Sequence, residues 1–347
     1  MQILSIHILR WRLAVLLVFF STCSVFADTD SALIDFIVDE QSQNGLVLND
    51  CSYQLSINGE SRSNDLIVPI NTLSKVVIKG KGLLITCEQN VVNEYGDRRR
   101  EVSRQVSRHV LNEDIFAEWL DSSKASITLY EMPDWKESKA ARELGGLVQR
   151  RLGDDPRVLS MKVENGETLQ AAIASSRHEG SKWKWEVEEA TPGSEESMNG
   201  YTLKRTLEGQ PRPDLTVQID PKKGYAVTES LFEPYNQVEQ YKRICKKDYR
   251  QIGNAWILTR KENIVQIGNS PVPRERVITT VDNFKWLSDG EGATPSLASL
   301  QLPEQVLAKK IVPNQGGTSV ADGLYLLQDG ILTPVEDVPG ALASVSN

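Results

Sequence analysis

The chain has 347 residues, is 40% hydrophobic and 25% charged, and carries a formal net charge of −8. This balance excludes disordered, collagen-like and coiled-coil chains, and the length gives room for a core that needs no disulfide or metal. The acidic excess argues against non-specific nucleic-acid binding, which relies on Lys and Arg to displace counterions.

Residues 1–27 read as a secretory signal peptide. His7, Arg10 and Arg12 precede an unbroken apolar run from Leu13 to Phe20, and Val25-Phe26-Ala27 offers small residues for cleavage before Asp28. The run is shorter than the roughly 20 residues a membrane-spanning helix needs. The expectation is a soluble protein, periplasmic or secreted. Removal of Cys23 leaves Cys51, Cys87 and Cys245. Export permits a disulfide. Cys51 and Cys87, at inward-type positions of strand-like segments, are the candidate pair, with buried thiols as the alternative.

Leu33, Ile34, Phe36 and Ile37 share one face of a helix over 31–41, which Asp28 or Asp30 can cap. The period then changes to two. Cys51, Tyr53, Leu55 and Ile57 alternate with polar residues, the pattern of a half-buried strand. Strands follow at 74–79, 82–93 and 126–130, while 97–110 fits strand or helix. Ala140, Leu144, Leu147, Val148 and Leu152 predict an amphipathic helix, and 167–176 a shorter one. Trp183, Trp185 and Val187 alternate with Lys184, Glu186 and Glu188, and Leu215, Val217 and Ile219 alternate with Thr216, Gln218 and Asp220. Further strands are predicted at 201–207, 224–231, 238–250, 255–260, 263–267 and 276–286, and 191–200 as a polar loop. From 288 the composition becomes linker-like.

Helices and strands in blocks predict an α+β fold. The expected architecture is a curved antiparallel sheet, a half-open β-barrel of roughly ten strands. An N-terminal helix and two central helices cover it. The expected organisation is a signal peptide over 1–27, one sheet domain over 28–286, and a C-terminal strand/turn extension with a flexible tail over 287–347.

No HExxH, CxxC, GxSxG, P-loop or GxGxxG occurs, and His109 and His178 lack metal-ligand spacing. His109 is expected on a strand surface and His178 in a solvated loop. No catalytic residue, cofactor or metal is assigned. Arg98, Arg99, Arg100, Arg104 and Arg108 form a basic stretch, read as a solvated hairpin paired with Glu94, Asp97 and Glu101 or as a patch for an anionic partner. Trp183 and Trp185 on one strand face are either core or the wall of a ligand cavity.

Several short motifs resemble those of LolA/LolB-type lipoprotein carriers and their exported relatives. They are Asp154-Asp155-Pro156-Arg157, Asp220-Pro221-Lys222-Lys223-Gly224-Tyr225, Tyr249 with Gly253, Trp256 and Thr259, and Gly317-Thr318-Ser319-Val320-Ala321-Asp322. The resemblance implies a half-open antiparallel barrel closed by helices around a cavity for acyl chains. The expected function is a non-enzymatic exported protein that binds acyl chains, of a lipid or lipoprotein, or another apolar ligand. Tyr53, Leu55, Ile57, Trp183, Trp185, Val217 and Ile219 are the candidate cavity wall. An envelope protein-interaction or sensor domain on the same scaffold is the alternative, and an exported hydrolase a third reading.

Overall fold

The computed structural model describes residues 29–337 except 47, 49, 64–65, 95–99, 122–125, 133–161, 165–166, 179, 190–199, 236–239, 269, 289–290, 314–318 and 329–330. The signal-peptide segment, the helix expected over 139–152 and most of the 191–200 loop lie outside the described residues.

The N-terminal helix spans Thr29–Leu46. Six strands follow in meander: β1 (Cys51–Ser63), β2 (Leu66–Lys79), β3 (Gly82–Glu94), β4 (Arg100–Leu111), β5 (Ile115–Asp121) and β6 (Ser126–Glu131). A small hairpin of β7 (Lys162–Glu164) and β8 (Glu167–Thr168) leads into a short helix, Leu169–Ser176. Its N-cap is Thr168, whose side chain accepts from the Ala171 amide at 3.1 Å. A second meander comprises β9 (Trp183–Glu189), β10 (Tyr201–Leu207), β11 (Leu215–Asp220), β12 (Ala226–Phe232), β13 (Tyr241–Ile252), β14 (Ala255–Ile267) and β15 (Glu275–Trp286). The C-terminal segment adds β16 (Gln305–Pro313), β17 (Ser319–Gln328) and β18 (Ile331–Pro334).

Sixteen of these strands form one sheet, in the order β18-β17-β16-β6-β5-β4-β3-β2-β1-β15-β14-β13-β12-β11-β10-β9. The two meanders join where β1 pairs with β15, and β16 then adds in parallel beside β6. Gly59 sits at the join, where an added Cβ would run into the Arg276 carbonyl of β15. Register shifts put an extra residue on β15, β12, β14 and β17 opposite β1, β11, β13 and β16, and bend the strands. The sheet is curved but not closed, with β9 and β18 at its edges.

The expectation of roughly ten strands is thus too low: eighteen are present among the described residues. Residues 115–121 were missed because Phe116, Ala117, Glu118 and Trp119 are all buried, so the strand is packed on both faces and shows no alternation. The segments 255–260 and 263–267 are one continuous strand, β14. Of the two central helices expected, the one over 167–176 is present as Leu169–Ser176, and the other lies outside the described residues. No described helix is long and apolar enough to cross a membrane.

The β11–β12 turn shows why one sequence motif folds as it does. Asp220 accepts from the Lys222 amide at 2.9 Å, Pro221 opens a 3₁₀ turn, and Gly224 ends it at φ 65°. Tyr225, placed by this turn, accepts at its carbonyl a 2.7 Å bond from Gln41 of the N-terminal helix.

Apolar side chains divide into separate clusters. Ile34, Ile37 and Val38 of the N-terminal helix and Leu169, Ala172 and Ile173 of the short helix pack on Leu203, Leu215, Val217, Ile219 and Val227. Tyr53, Leu55, Val76, Ile78, Leu83, Ile85, Phe116 and Tyr130 form a second cluster with Leu258 and Val281. Trp119, Ile127, Leu129, Val306 and Leu327 form a third, on the opposite face of β5 and β6, under Leu300.

Candidate functional site

Directly opposed residues of paired strands share a face of the sheet. Val217 opposes Ser230, then Cys245, Asn263, Val277 and Gly59 in turn across the sheet. Gly59 alternates with Ile57, Leu55 and Tyr53 along β1. Leu203 opposes Val217, and Tyr201 opposes Ile219. Trp185 opposes Arg205 and Trp183 opposes Leu207. All seven residues expected to wall a cavity therefore lie on one face of one sheet.

They do not meet at one place. Tyr53 and Leu55 are buried in the cluster beneath β1–β6, and Ile57 is half-buried beside it. Val217 and Ile219 are 0% and 2% exposed beneath the two helices, with Trp185 packed against them. At Val217 and Ile219 the space is filled by helix side chains.

Open space lies at the edge of this cluster. A cleft of about 710 Å³ runs between β9 and the two helices. Its wall includes Asp30 and Ile34 of the N-terminal helix, Arg177 and His178 after the short helix, and Trp183 and Trp185 of β9. Asp30 Oδ2 accepts from the Val187 amide at 3.3 Å, and Asp35 pairs with Arg177. His178 is exposed, as expected, with Nδ1 2.7 Å from the Ser175 carbonyl. The Trp185 indole Nε1–H is buried and has no hydrogen-bond partner among the described residues.

The two indoles are held by a charged neighbour that the sequence reading overlooked. Arg205 places its guanidinium carbon 4.8 Å from the Trp183 ring centroid and 6.0 Å from that of Trp185. Asp214 grips Arg205 with bonds of 3.0 and 2.8 Å. Tyr235 stacks on Trp183 at 6.2 Å, and Arg212 lies 5.6 Å from the Tyr235 centroid. Burial pushes the Glu167 carboxyl up, against the pull of Arg205. The available signal was a charged residue, Arg205, at the inward position between Leu203 and Leu207.

Two expectations are corrected. The Cys51–Cys87 disulfide does not form. Cys51 is level with Ile78 and Leu83, while Cys87 is level with Ser74 and Ser107. Two strand spacings and four residues put their Cα atoms roughly 16 Å apart, beyond the ~7 Å reach of a disulfide. His109 is not a surface residue: it is 5% exposed, with Nε2 3.2 Å from Ser107 Oγ. In the arginine stretch, Arg104 pairs with Glu88, while the side chains of Glu94, Asp97 and Glu101 lie outside the described residues. Arg108 donates to the Leu300 carbonyl at 2.6 Å and lies 4.9 Å from the Trp119 centroid.

No family model matches the chain, and no curated protein matches it. Its neighbours among solved structures are LolA-superfamily and DUF1329 proteins and an outer membrane lipoprotein-sorting domain. A DUF1329 family protein from Desulfovibrio piger is 9% identical, covers 77% of this chain and 99% of its own, and gives a TM-score of 0.38. A LolA superfamily protein from Nitrosomonas europaea is 10% identical, with 74% and 95% covered and a TM-score of 0.33. An outer membrane lipoprotein-sorting protein domain from Vibrio parahaemolyticus is 11% identical, with 72% and 90% covered and a TM-score of 0.34.

Proposed function

We propose that this is a non-enzymatic exported protein that binds an acyl-chain amphiphile in the cleft beside β9. The observation that carries the reading is the Trp185 indole N–H, buried beside the cleft with no partner among the described residues. An orphaned buried donor is costly, and a ligand oxygen entering the cleft would satisfy it. Trp183, Trp185 and Ile34 offer the ligand's chain apolar surface, and Arg177, His178 and Lys184 stand at the rim for a polar head. The volume, about 710 Å³, falls within the roughly 300–1,000 Å³ of small-molecule pockets. Each methylene buried is worth about 0.8 kcal/mol, so a long chain competes with helix side chains for the sheet beyond Trp185.

Tryptophan emission titrated with oleate and with lysophosphatidylcholine tests this reading. A saturable shift supports it. The filled floor at Val217 and Ile219 favours a second reading, an envelope interaction or sensor domain with a solid core. That reading predicts no saturable shift with either amphiphile.

A further inference from the structure

Trp183 stacks on Tyr235, and Tyr235 lines a second cleft, distinct from the one beside the helices. Its volume is about 770 Å³, within the roughly 300–1,000 Å³ of small-molecule sites. Separate parts of the second meander meet there. The β10–β11 turn brings Arg212, the segment after β12 brings Glu233 and Tyr235, and the start of β13 brings Tyr241 and Lys242. Lys242 directly opposes Gln266 of β14, so both side chains stand on one face of that strand pair.

Local bonds fix this wall. The Glu233 amide donates to the Asp214 carbonyl at 2.7 Å, and Arg212 Nη1 donates to the Glu233 carbonyl at 3.0 Å. The Tyr235 hydroxyl donates to the Arg212 carbonyl at 2.5 Å and accepts from the Leu207 amide at 3.2 Å. At the rim, the Gly268 amide donates to the Gln240 carbonyl at 2.8 Å. A site held in this way loses little freedom on binding.

The lining differs in chemistry from the tryptophan cleft. The Arg212 guanidinium, the Glu233 carboxylate and the Gln240 and Gln266 amides are planar groups. Each offers two or more donors or acceptors in one plane, which suits neighbouring hydroxyls on a sugar ring. Tyr235 and Tyr241 add rings with an apolar face and a polar tip, against which the C–H face of a sugar packs. An acyl chain placed here would strip water from these polar groups and give nothing in return. Charge narrows the class further. Glu233 lies 3.6 Å from Arg212 and 3.5 Å from Lys242. Both distances exceed a normal hydrogen bond, so either cation can turn toward an incoming anion. One carboxylate faces two cations, and the lining carries an excess positive charge in a chain whose net charge is −8.

We propose that this cleft binds an acidic saccharide. The sugar ring lies on Tyr241, its hydroxyls meet Glu233 and the Gln240 and Gln266 amides, and its acid group meets Arg212 and Lys242. The proposal does not depend on the cleft at Trp185.

Isothermal titration calorimetry of the full chain tests it, with trigalacturonate, maltotriose and inorganic phosphate as probes. Wild type is compared with Arg212→Gln, Tyr241→Ala and the control Lys309→Gln, an exposed position on β16. The expected result is saturable binding of trigalacturonate by wild type and Lys309→Gln. Arg212→Gln is expected to weaken it by roughly tenfold or more, the worth of a bond to a charged group. Tyr241→Ala is expected to weaken it as well. Arg212, half exposed, keeps the test open if Tyr241→Ala disturbs packing against Phe232. Maltotriose, which lacks the acid, and phosphate, which lacks the ring, are each expected to bind more weakly than trigalacturonate. No saturable binding of trigalacturonate, equal affinity in wild type and both cleft variants, or equal affinity for phosphate or maltotriose overturns the proposal.

Discussion

Arg205 and Asp214 form a two-bond fork at the end of β10, with Nε to Oδ1 at 3.0 Å and Nη2 to Oδ2 at 2.8 Å. Their side chains are 10% and 3% exposed. The fork fixes a guanidinium against both indoles of β9, so the cleft wall is held by a buried ion pair as well as by apolar packing. Removing Asp214 takes from the buried Arg205 guanidinium its two-bond partner. Asp214→Ala is expected to cost about 3–5 kcal/mol in urea melts. Arg205→Met in the Asp214→Ala background is expected to recover much of that loss, and failure to recover any would contradict the role given to the pair.

Lys247 makes stability depend on pH in a defined direction. Its pKa is held at about 7 in the fold, against 10.5 for the free side chain. Between those values the unfolded chain binds a proton that the folded chain does not. This contribution to stability therefore rises with pH through that window, and below about pH 7 the full cost of burying the charge applies. Lys247→Met is expected to be more stable than wild type by a few kcal/mol at pH 6, with the difference fading toward pH 10. Urea melts of both proteins at pH 6, 8 and 10 check this. A difference that does not change with pH would refute it.

Ile37 of the N-terminal helix is 0% exposed against the sheet. Ile37→Ala is expected to destabilise by about 2–5 kcal/mol through the lost burial and the cavity left behind. Because the helix makes no ladder bonds, the sheet's own pairing is expected to survive. Hydrogen exchange measures this directly: amides of β10 and β11 should stay protected while those of the helix lose protection. Simultaneous loss in helix and strands would show that the cover and the sheet are one cooperative unit.

The register also settles the thiol chemistry to expect. With Cys51 and Cys87 roughly 16 Å apart, reducing agent is expected to leave the melting midpoint unchanged. Intact mass after denaturation and alkylation is expected to show both residues labelled. An unlabelled pair without reductant would contradict the register of β1, β2 and β3.

Much of the inner face was legible because two-residue alternation survives wherever one side of a strand meets solvent. Tyr53, Leu55 and Ile57, Trp183 and Trp185, and Val217 and Ile219 were assigned inward positions, and the register puts them on one face. Alternation says nothing about which strands become neighbours, so the β1–β15 join and the parallel β16–β6 pair could not be read. It also fails where both faces are packed, as at Phe116 to Trp119. His109 was misplaced because a buried polar residue looks like a surface one until Ser107 and Glu118 are seen beside it. The Cys51–Cys87 pairing failed for a related reason. Inward parity was correct for both residues, but their levels along β1 and β3 differ by four positions. Arg205 was passed over because its partner Asp214 lies in a turn rather than on a strand.

The central claim is that the cleft beside β9 takes an amphiphile whose oxygen accepts the Trp185 indole N–H. The most direct measurement is the oleate affinity of wild type against Trp185→Phe, which keeps a ring at the site but removes the donor. Binding is expected in both, weaker in Trp185→Phe by roughly two- to twelvefold, the worth of one hydrogen bond. Equal affinities, or no saturable binding by wild type, would contradict the account.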